Sequence, residues 1–371
     1  MPTKNYDSKL TLISFLKKDY SVADNRSVNR YMYEMSERIP SLLQGAERTT
    51  INPLARLGGG KSFAGNLLSF WLGNGAEYGC AHNFYFNVGV RAKVKITTVY
   101  DIREFGGTPI EAWAARQWLK SDYLIAISTQ TADELVARGY PRERVFTVNI
   151  GINDEFLTTP LPKKKKNSKS WNVGCISSFE KNKNILPIVE TIPAYNIYLN
   201  MGTKPMVFRF YGPGGTEEKA IRRAAESALL LQDPPIIFGG FVPQDRMVAT
   251  YDSFDAFIFP SLYEGFGMPI IEAQARGIPV VILKRAKIPN EVRKFCFEAE
   301  DEKDMVGILM GLEAGELFDA ERRRAQMDYA RTFTWDRCAR QTVGIYRKIM
   351  AKCGNKDDYF QTYHGEMWGQ R

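Results

Sequence analysis

Two glutamates, Glu264 and Glu272, stand eight positions apart around a turn in the second half of the chain. The turn consists of Gly265, Phe266 and Gly267. Ionised carboxylates accept hydrogen bonds from hydroxyl groups, and glycines allow backbone N–H groups to approach a ligand closely. This spacing predicts a binding site for an oxygen-rich ligand that carries hydroxyl groups.

The segments on either side of the turn predict how it is held. Residues 256–260 are apolar and end in proline, which is typical of a buried strand. Residues 270–275 favour a helix, which Gly277 and Pro279 end. A strand, a glycine turn and a helix in that order direct the N-terminus of the helix at one point, where phosphate binds well. Phosphate and hydroxyl groups together describe a nucleotide sugar; the structural alternative is that the carboxylates only cap backbone amides.

The stretch from Glu264 through Glu272 to Val281 resembles the signature of glycosyltransferase family 4, the glycosyl transferases group 1. The resemblance extends over roughly residues 93–350. It implies an α/β fold of the GT-B type, with two Rossmann-like domains facing each other across a cleft and a C-terminal helix that crosses back to the first domain. It also implies a retaining, metal-independent hexosyltransferase that uses a nucleotide-diphosphate sugar as co-substrate and needs no further cofactor.

Composition agrees with a soluble protein of two α/β domains. The chain has 371 residues, of which 44% are hydrophobic and 25% charged, and it carries a net charge of +8. Five scattered cysteines favour reduced thiols over a disulfide framework or a metal site. A secretory signal, a membrane span and a nucleic-acid-binding motif are not recognisable, so we expect a cytoplasmic protein.

The domain division follows from a linker-like stretch. We predict an N-terminal acceptor-side domain over 1–157, a basic hinge over 158–170, a nucleotide-sugar-binding domain over 171–340, and a crossover helix with a tail over 341–371. Four consecutive lysines occupy positions 163–166 of the hinge. A lysine run in a linker is either a solvated hinge or a peripheral contact with an anionic membrane at its inner face, where each lysine contributes about 1 kcal/mol.

Strands and helices alternate along the predicted first domain, which favours a parallel sheet with its ligands beyond the carboxyl ends of the strands. Strands are predicted at 9–15, 93–100, 123–127 and 145–150, and helices at 27–39, 109–119 and 129–138. Relatives carry a His-Asp pair near the sugar, where this chain has Tyr100 and Asp101. In this chain either no residue takes the role of that histidine, or Tyr100 takes it, or His82 does. Relatives also carry a glycine pair in the first β-to-α connection, which this chain lacks. Either Arg26 or Arg30 binds phosphate there instead, or both are exposed to solvent.

The second domain is expected to hold the donor. A strand at 170–176 leads through a polar turn to Lys183 and Asn184. These two residues resemble the family's lysine-asparagine pair, in which the lysine binds the donor diphosphate. The arginine that often accompanies this lysine is missing, and Lys181 is the expected substitute. A strand from position 207 ends in a glycine-rich turn that contains Gly212 and Gly214, and it resembles the family's loop close to the nucleotide.

The resemblance assigns roles to these residues, and other classes of function stay open. Glu264, Lys183 and Asp101 are the predicted catalytic residues. Predicted donor-binding residues are Glu272, Gly265, Phe266, Gly267, Lys181, Gly212 and Gly214. The expected partners are a nucleotide sugar and a glycan or lipid-linked acceptor, with no metal and no nucleic acid. The alternatives are another GT-B enzyme, such as a nucleotide-sugar epimerase, and a non-catalytic GT-B scaffold protein.

Overall fold

A computed structural model describes residues 10–14, 27–43, 46–50, 78–84, 92–102, 118, 120–162, 169–192, 204–229 and 236–353. These residues form two six-stranded sheets, one in each half of the chain, and the described strand pairs are parallel. Two parallel α/β sheets are the architecture that the sequence predicts, so the predicted fold class is confirmed.

The first sheet has the strand order β2-β1-β3-β4-β5-β6. Its elements in chain order are β1 (Leu10–Ser14), α1 (Ser27–Leu42), β2 (Glu47–Thr50), β3 (Tyr78–Asn83), β4 (Ala92–Val99), β5 (Tyr123–Ala126), α2 (Thr129–Ala137), a 3-10 turn (Arg142–Arg144), β6 (Val145–Thr147) and α3 (Asp154–Thr158). The order places the ends of β4 and β5 side by side, so the residues that follow them share one edge of the sheet.

The second sheet has the strand order β12-β11-β10-β7-β8-β9. Its elements are β7 (Trp171–Ile176), a 3-10 turn (Lys181–Lys183), α4 (Ile185–Thr191), β8 (Met206–Tyr211), α5 (Glu218–Leu229), β9 (Ile236–Gly240), α6 (Gln244–Tyr251), β10 (Ala256–Phe259), α7 (Met268–Ala275), β11 (Val280–Leu283), α8 (Asn290–Arg293), β12 (Phe297–Ala299), α9 (Glu302–Glu313), α10 (Ala320–Ala330) and α11 (Trp335–Cys353). Strands β7 and β10, far apart in the chain, are neighbours in this sheet.

Two neighbouring inner strands of the second sheet, β10 and β11, are buried along their whole length. All four residues of β10 and all four of β11 are buried. Helices cover both faces of a parallel sheet, so its central strands are continuously apolar and do not alternate. The apolar run from which the sequence predicted β10 reflects this burial on both faces.

Helix α11 begins in the second half of the chain and packs on α1 of the first half. His82 of β3 contacts the Tyr346 hydroxyl through Nδ1, and Arg347 Nη2 donates to the Leu42 carbonyl oxygen over 3.4 Å. Arg38 of α1 bonds to both Asp336 and Asp154. The crossover helix of the predicted fold is therefore present, and it begins at Trp335, so the predicted boundary at 340 falls inside it.

Most predicted elements of the first half are present, and two strands were missed. The predicted strand at 9–15 corresponds to β1, and the predicted helix at 27–39 to α1. The sequence did not predict β2 and β3, which are polar or small-residue strands without an apolar run. The predicted helix at 109–119 lies outside the described residues except for Trp118, and the lysine run at 163–166 and Arg26 lie outside them altogether.

Candidate functional site

The adjacent carboxyl ends of β7 and β10 bring Lys183 and Glu264 together. The 3-10 turn after β7 holds the loop after β10, because the Leu262 N–H donates to the Asn182 carbonyl oxygen over 2.9 Å. Lys183 Nζ then lies 2.5 Å from Glu264 Oε1, and the two side chains are 19% and 13% exposed. This is a partly buried ion pair between residues 81 positions apart, at the sheet edge where ligands bind in such folds.

The loop around Glu264 is also fixed through its backbone. The Glu264 N–H donates to the Lys287 carbonyl oxygen over 3.0 Å, and Gln130 Nε2 donates to the Glu264 carbonyl oxygen over 3.1 Å. Gln130 belongs to α2 of the first half. The carboxylate of Glu264 is therefore presented from a loop that both halves of the chain hold in place.

The glycine turn needs glycine for two different reasons. Gly267 caps α7 with φ 96° and ψ 50°, a left-handed conformation that disfavours side chains, and Pro269 follows in the first turn of the helix. A Cβ atom on Gly265 would lie 2.1 Å from the Tyr100 carbonyl oxygen and 2.9 Å from Asp101 Cβ. Phe266 is 3% exposed and packs edge-on against Phe333 at 5.8 Å. The turn thus brings Asp101 beside Gly265, and Phe266 anchors it in the core.

Replacing Gly265 with alanine is expected to destabilise the protein by about 1–3 kcal/mol, because the added methyl group overlaps the backbone of Tyr100. The matched control is Gly344→Ala in α11, where a Cβ meets no atom within 4 Å and alanine favours the helix. Thermal unfolding of both variants checks the difference. A Gly265→Ala protein as stable as the control would contradict the close contact.

Glu272 lies on the buried face of α7 and is 9% exposed. Its Oε2 accepts a hydrogen bond of 2.8 Å from the Tyr251 hydroxyl. Burial raises the pKa of the Glu272 carboxyl from 4.5 to about 7, and the hydrogen bond from Tyr251 opposes that rise. A carboxyl group in this state is able to bind hydroxyl groups of a ligand without the strong hydration of an exposed carboxylate.

The remaining predicted donor-binding residues lie at the same sheet but differ in their surroundings. Lys181 is exposed on the turn that carries Lys183. Gly212 has φ 146°, and a Cβ there would lie 1.9 Å from the Ser177 carbonyl oxygen; at Gly214 it would lie 2.1 Å from Glu218 Oε2. The close neighbour of Gly212 is therefore the loop at Ser177, and that of Gly214 is the start of α5.

Tyr100 and His82 are core residues in this structure. The Tyr100 hydroxyl donates to the Phe84 carbonyl oxygen over 2.6 Å, and its side chain packs edge-on against Tyr31 at 5.5 Å. His82 is fully buried, and its Nε2 lies 2.9 Å from Thr98 Oγ1. Burial lowers the pKa of His82 to about 3, so the ring is neutral at pH 7. Both side chains are engaged in packing the first half of the chain.

Contacts between the two halves were not predicted from the sequence. Glu291 of α8 accepts hydrogen bonds from the Thr129 N–H (2.6 Å), Thr129 Oγ1 (2.7 Å) and Asn149 Nδ2 (3.0 Å). The Tyr263 hydroxyl donates to Glu134 Oε2 over 2.7 Å. A carboxylate at the N-terminus of α2 is favourably placed against the helix dipole. These partners are more than 120 positions apart, so no local pattern could have revealed them.

The described residues hold no further candidate site of two kinds. They contain no group of three or more His, Cys, Asp or Glu side chains arranged to hold a metal ion. Among the described helices, none combines the length and the apolar character that crossing a membrane requires. Four described cysteines, Cys80, Cys175, Cys296 and Cys338, are buried thiols outside any disulfide.

The fold is shared with solved glycosyltransferase structures. Sucrose-phosphate synthase from Thermosynechococcus elongatus superposes with a TM-score of 0.68 at 13% identity, covering 93% of this chain and 99% of that one. The Anabaena protein HepE, solved with UDP and glucose, superposes with a TM-score of 0.65 at 15% identity, covering 92% and 99%. The fold of this chain is therefore of the GT-B type.

Sequence comparison relates part of the chain to known glycosyltransferases. The O-antigen chain mannosyltransferase B of Escherichia coli is 26% identical over 239 residues, which are 61% of this chain and 60% of that protein. The chain thus matches a little over half the length of this curated relative. Residues 171–312 match the family described as glycosyl transferases group 1. The second half of the chain therefore matches the glycosyl transferases group 1 family, the one that the resemblance named.

Proposed function

We propose that this protein is a glycosyltransferase that moves a hexose from a nucleotide-diphosphate sugar to an acceptor hydroxyl with retention of configuration. The observation that carries the proposal is the contact of Lys183 with Glu264 beside the glycine turn. Glu272 follows on the helix that begins at this turn. A cation, two carboxyl groups and a helix N-terminus at one sheet edge match the chemistry of a nucleotide sugar.

Lys183 provides the positive charge that the departing diphosphate needs. Negative charge develops on the diphosphate as the glycosidic bond breaks, and a positioned cation stabilises that charge strongly in a site from which water is excluded. The first amides of α7 have no acceptor within the helix and add partial positive charge. In the unliganded protein Lys183 is paired with Glu264, so the incoming diphosphate shares or replaces that partner.

The two carboxyl groups bind different parts of the donor. Glu264 receives the hydroxyl groups of the sugar, and Glu272 receives those of the ribose. Asp101 approaches the sugar from the first domain, since it lies beside Gly265. The acceptor hydroxyl enters on the face that the leaving diphosphate occupies, and a phosphate oxygen takes its proton, so that no separate base is required.

The sugar and the acceptor are proposed from the relatives. A mannosyl donor is the first to test, because the matching Escherichia coli protein is a mannosyltransferase of the O-antigen chain. A glycan or lipid-linked acceptor fits the same comparison. Retention of configuration is read from the anomeric proton of the product by NMR, and addition of a chelator to the assay tests metal independence.

A thermal-shift panel of UDP, GDP, ADP and their sugar conjugates tests the proposal. A ligand that binds the folded state raises the melting temperature by mass action, so one nucleotide should stabilise the protein selectively. Transfer from its sugar conjugate to a glycan acceptor then establishes the activity. Stabilisation without turnover on any acceptor favours the non-catalytic scaffold, and loss of the sugar to water favours another GT-B enzyme.

The two glutamates make separable contributions to nucleotide binding. Glu272→Ala is expected to weaken the affinity for the nucleoside diphosphate alone by about tenfold, the loss of one charged hydrogen bond. Glu264→Ala should change it less, because its proposed ligand is the sugar, which a nucleoside diphosphate lacks. Titration calorimetry measures both affinities. Equal and negligible effects of the two variants would overturn the assignment.

An anionic membrane surface is the further partner that we propose for the lysine run at 163–166. Leu161, at the described end of the hinge, lines a shallow groove together with Arg323, Arg324 and Arg331 of the α10 region. The described surface at Leu161 therefore carries basic residues of its own. Sedimentation with vesicles containing anionic lipid tests this contact, and binding that is insensitive to salt or to lipid charge would speak against it.

A further inference from the structure

The polar contact between Tyr251 and Glu272 joins the end of α6 to the middle of α7. The Tyr251 hydroxyl donates to Glu272 Oε2 over 2.8 Å. An ionised carboxylate offers acceptor positions on both oxygens. With Oε2 engaged by Tyr251, Oε1 is the oxygen left to receive a hydroxyl group of a ligand.

The ring of Tyr251 has little freedom to move. Tyr251 is fully buried, and its ring packs edge-on against Phe156 at 5.2 Å and at a tilt against Phe257 at 5.4 Å. Close-packed interiors hold side chains in one rotamer, so the hydroxyl points in a set direction. Burial and the neighbouring Glu272 carboxyl raise the pKa of Tyr251 well above its usual value, so the hydroxyl stays protonated and remains a donor.

A second polar contact ties the same two helices together one turn further along. Arg276, which follows the last residue of α7, forms a two-pronged ion pair with Asp252, which follows the last residue of α6. The pair runs from Nε to Oδ1 over 2.7 Å and from Nη2 to Oδ2 over 2.8 Å. The Arg276 side chain is 1% exposed. Planar two-pronged pairs of this kind fix geometry as well as charge. The register between α6 and α7, and with it the Tyr251–Glu272 distance, is therefore set by two independent contacts.

We propose that Tyr251 is a positioning residue for the donor: it holds Oε2 of Glu272 so that Oε1 faces the ribose hydroxyls of the bound nucleotide. The inference rests on the proposed function, because it needs a nucleotide at Glu272. Tyr251 acts through Glu272 and does not touch the donor. Its hydroxyl determines how well the site distinguishes a ribonucleotide from its deoxy analogue.

The test compares UDP and GDP with their 2′-deoxy and 3′-deoxy analogues by titration calorimetry. The wild-type protein should bind its preferred ribonucleotide at least about tenfold more tightly than the analogue that lacks the contacted hydroxyl, because the carboxylate loses its donor. Tyr251→Phe should weaken the ribonucleotide about tenfold and leave the affinity for that analogue almost unchanged, so discrimination disappears. A merely structural role would weaken both ligands equally.

Tyr140→Phe is the matched control. Tyr140 is also buried, and its hydroxyl donates to the Ser121 carbonyl oxygen in the first half of the chain, away from α6 and α7. Both substitutions remove one buried hydroxyl, so both lower the melting temperature. Only Tyr251→Phe should change the preference for ribose. Equal discrimination in wild type and Tyr251→Phe would overturn the inference.

Failure of the proposed function is recognisable separately, because the wild-type protein would then bind none of the nucleotides. If Tyr251→Phe does not fold, 4-aminophenylalanine at position 251 keeps the shape of the ring and supplies a weaker N–H donor. Discrimination should then be reduced but present. Unchanged discrimination with this weaker donor would also count against the positioning role.

Discussion

Lys183→Ala is expected to lower kcat/KM for sugar transfer by about 10²–10³-fold, the loss typical of one positioned stabilising group in a catalytic site. The variant removes the cation proposed for the leaving diphosphate. It also leaves the partly buried Glu264 carboxylate without its partner at 2.5 Å. Steady-state kinetics with the donor from the nucleotide panel measures the effect, which should fall mainly on kcat.

Glu264→Ala and the double variant complete this experiment. Because the two side chains contact each other, their effects should not add, and the double variant should lose less activity than the product of the two single losses. Lys284→Ala is the matched control, since Lys284 pairs with Glu300 but both side chains are more than half exposed. Solvent screens an exposed pair, so it contributes little and this variant should keep its activity. Lys183→Ala with activity within twofold of wild type would remove Lys183 from the mechanism.

The second large effect is expected on stability: Glu272→Gln should stabilise the unliganded protein at pH 8 by up to about 3 kcal/mol. Burial raises the pKa of this carboxyl from 4.5 to about 7. The unfolded chain therefore releases the proton near pH 4.5, whereas the folded protein retains it until about pH 7. Between these values folding takes up a proton, so wild-type stability falls as the pH rises.

The stability that Glu272→Gln gains over the wild-type protein therefore depends on pH. It should be absent below pH 4.5, grow between pH 4.5 and 7, and stay constant above pH 7. Melting temperatures from pH 4 to pH 8 measure it, and several degrees of difference are expected at the upper end. Glu300→Gln is the control for the same chemical change at an exposed position. Parallel curves for wild type and Glu272→Gln would contradict the raised pKa of Glu272.

The same substitution should weaken nucleotide binding, because a neutral amide is a poorer acceptor for ribose hydroxyls than a carboxylate. A residue that destabilises the free protein and binds the ligand is the usual compromise at a functional site. Higher stability together with lower affinity in one variant would therefore support the role of Glu272 from two independent measurements.

The strand, turn and helix around Glu264 were predictable because they are local in sequence. The strand at 256–260, the turn of Gly265 and Gly267, and the helix that follows lie within about twenty positions. Glycine and proline act on the backbone of their immediate neighbours, so their spacing already predicts a strand, a turn and a helix start. The helix begins at Met268, two residues earlier than predicted, because Gly267 in its left-handed conformation acts as the cap.

The first domain was less predictable because its sheet depends on contacts between distant segments. Strand β2 contains Glu47, Arg48, Thr49 and Thr50, and β3 contains Cys80 and His82. Neither has an apolar run, and both become strands through pairing with β1. Strand preference depends on the neighbouring strands more than on the residue itself, so the local sequence is a weak guide here.

The sequence by itself determined the α/β class, the strand-turn-helix at Glu264, and the identity of the charged groups that we propose as ligands for phosphate and hydroxyls. Only the tertiary structure decided which of them meet. It paired Lys183 with Glu264, placed Asp101 beside Gly265, and buried Glu272 against Tyr251. The physical reason is that backbone preferences act over a few residues, whereas these contacts arise from the order of strands in the sheet and from packing between the two halves of the chain.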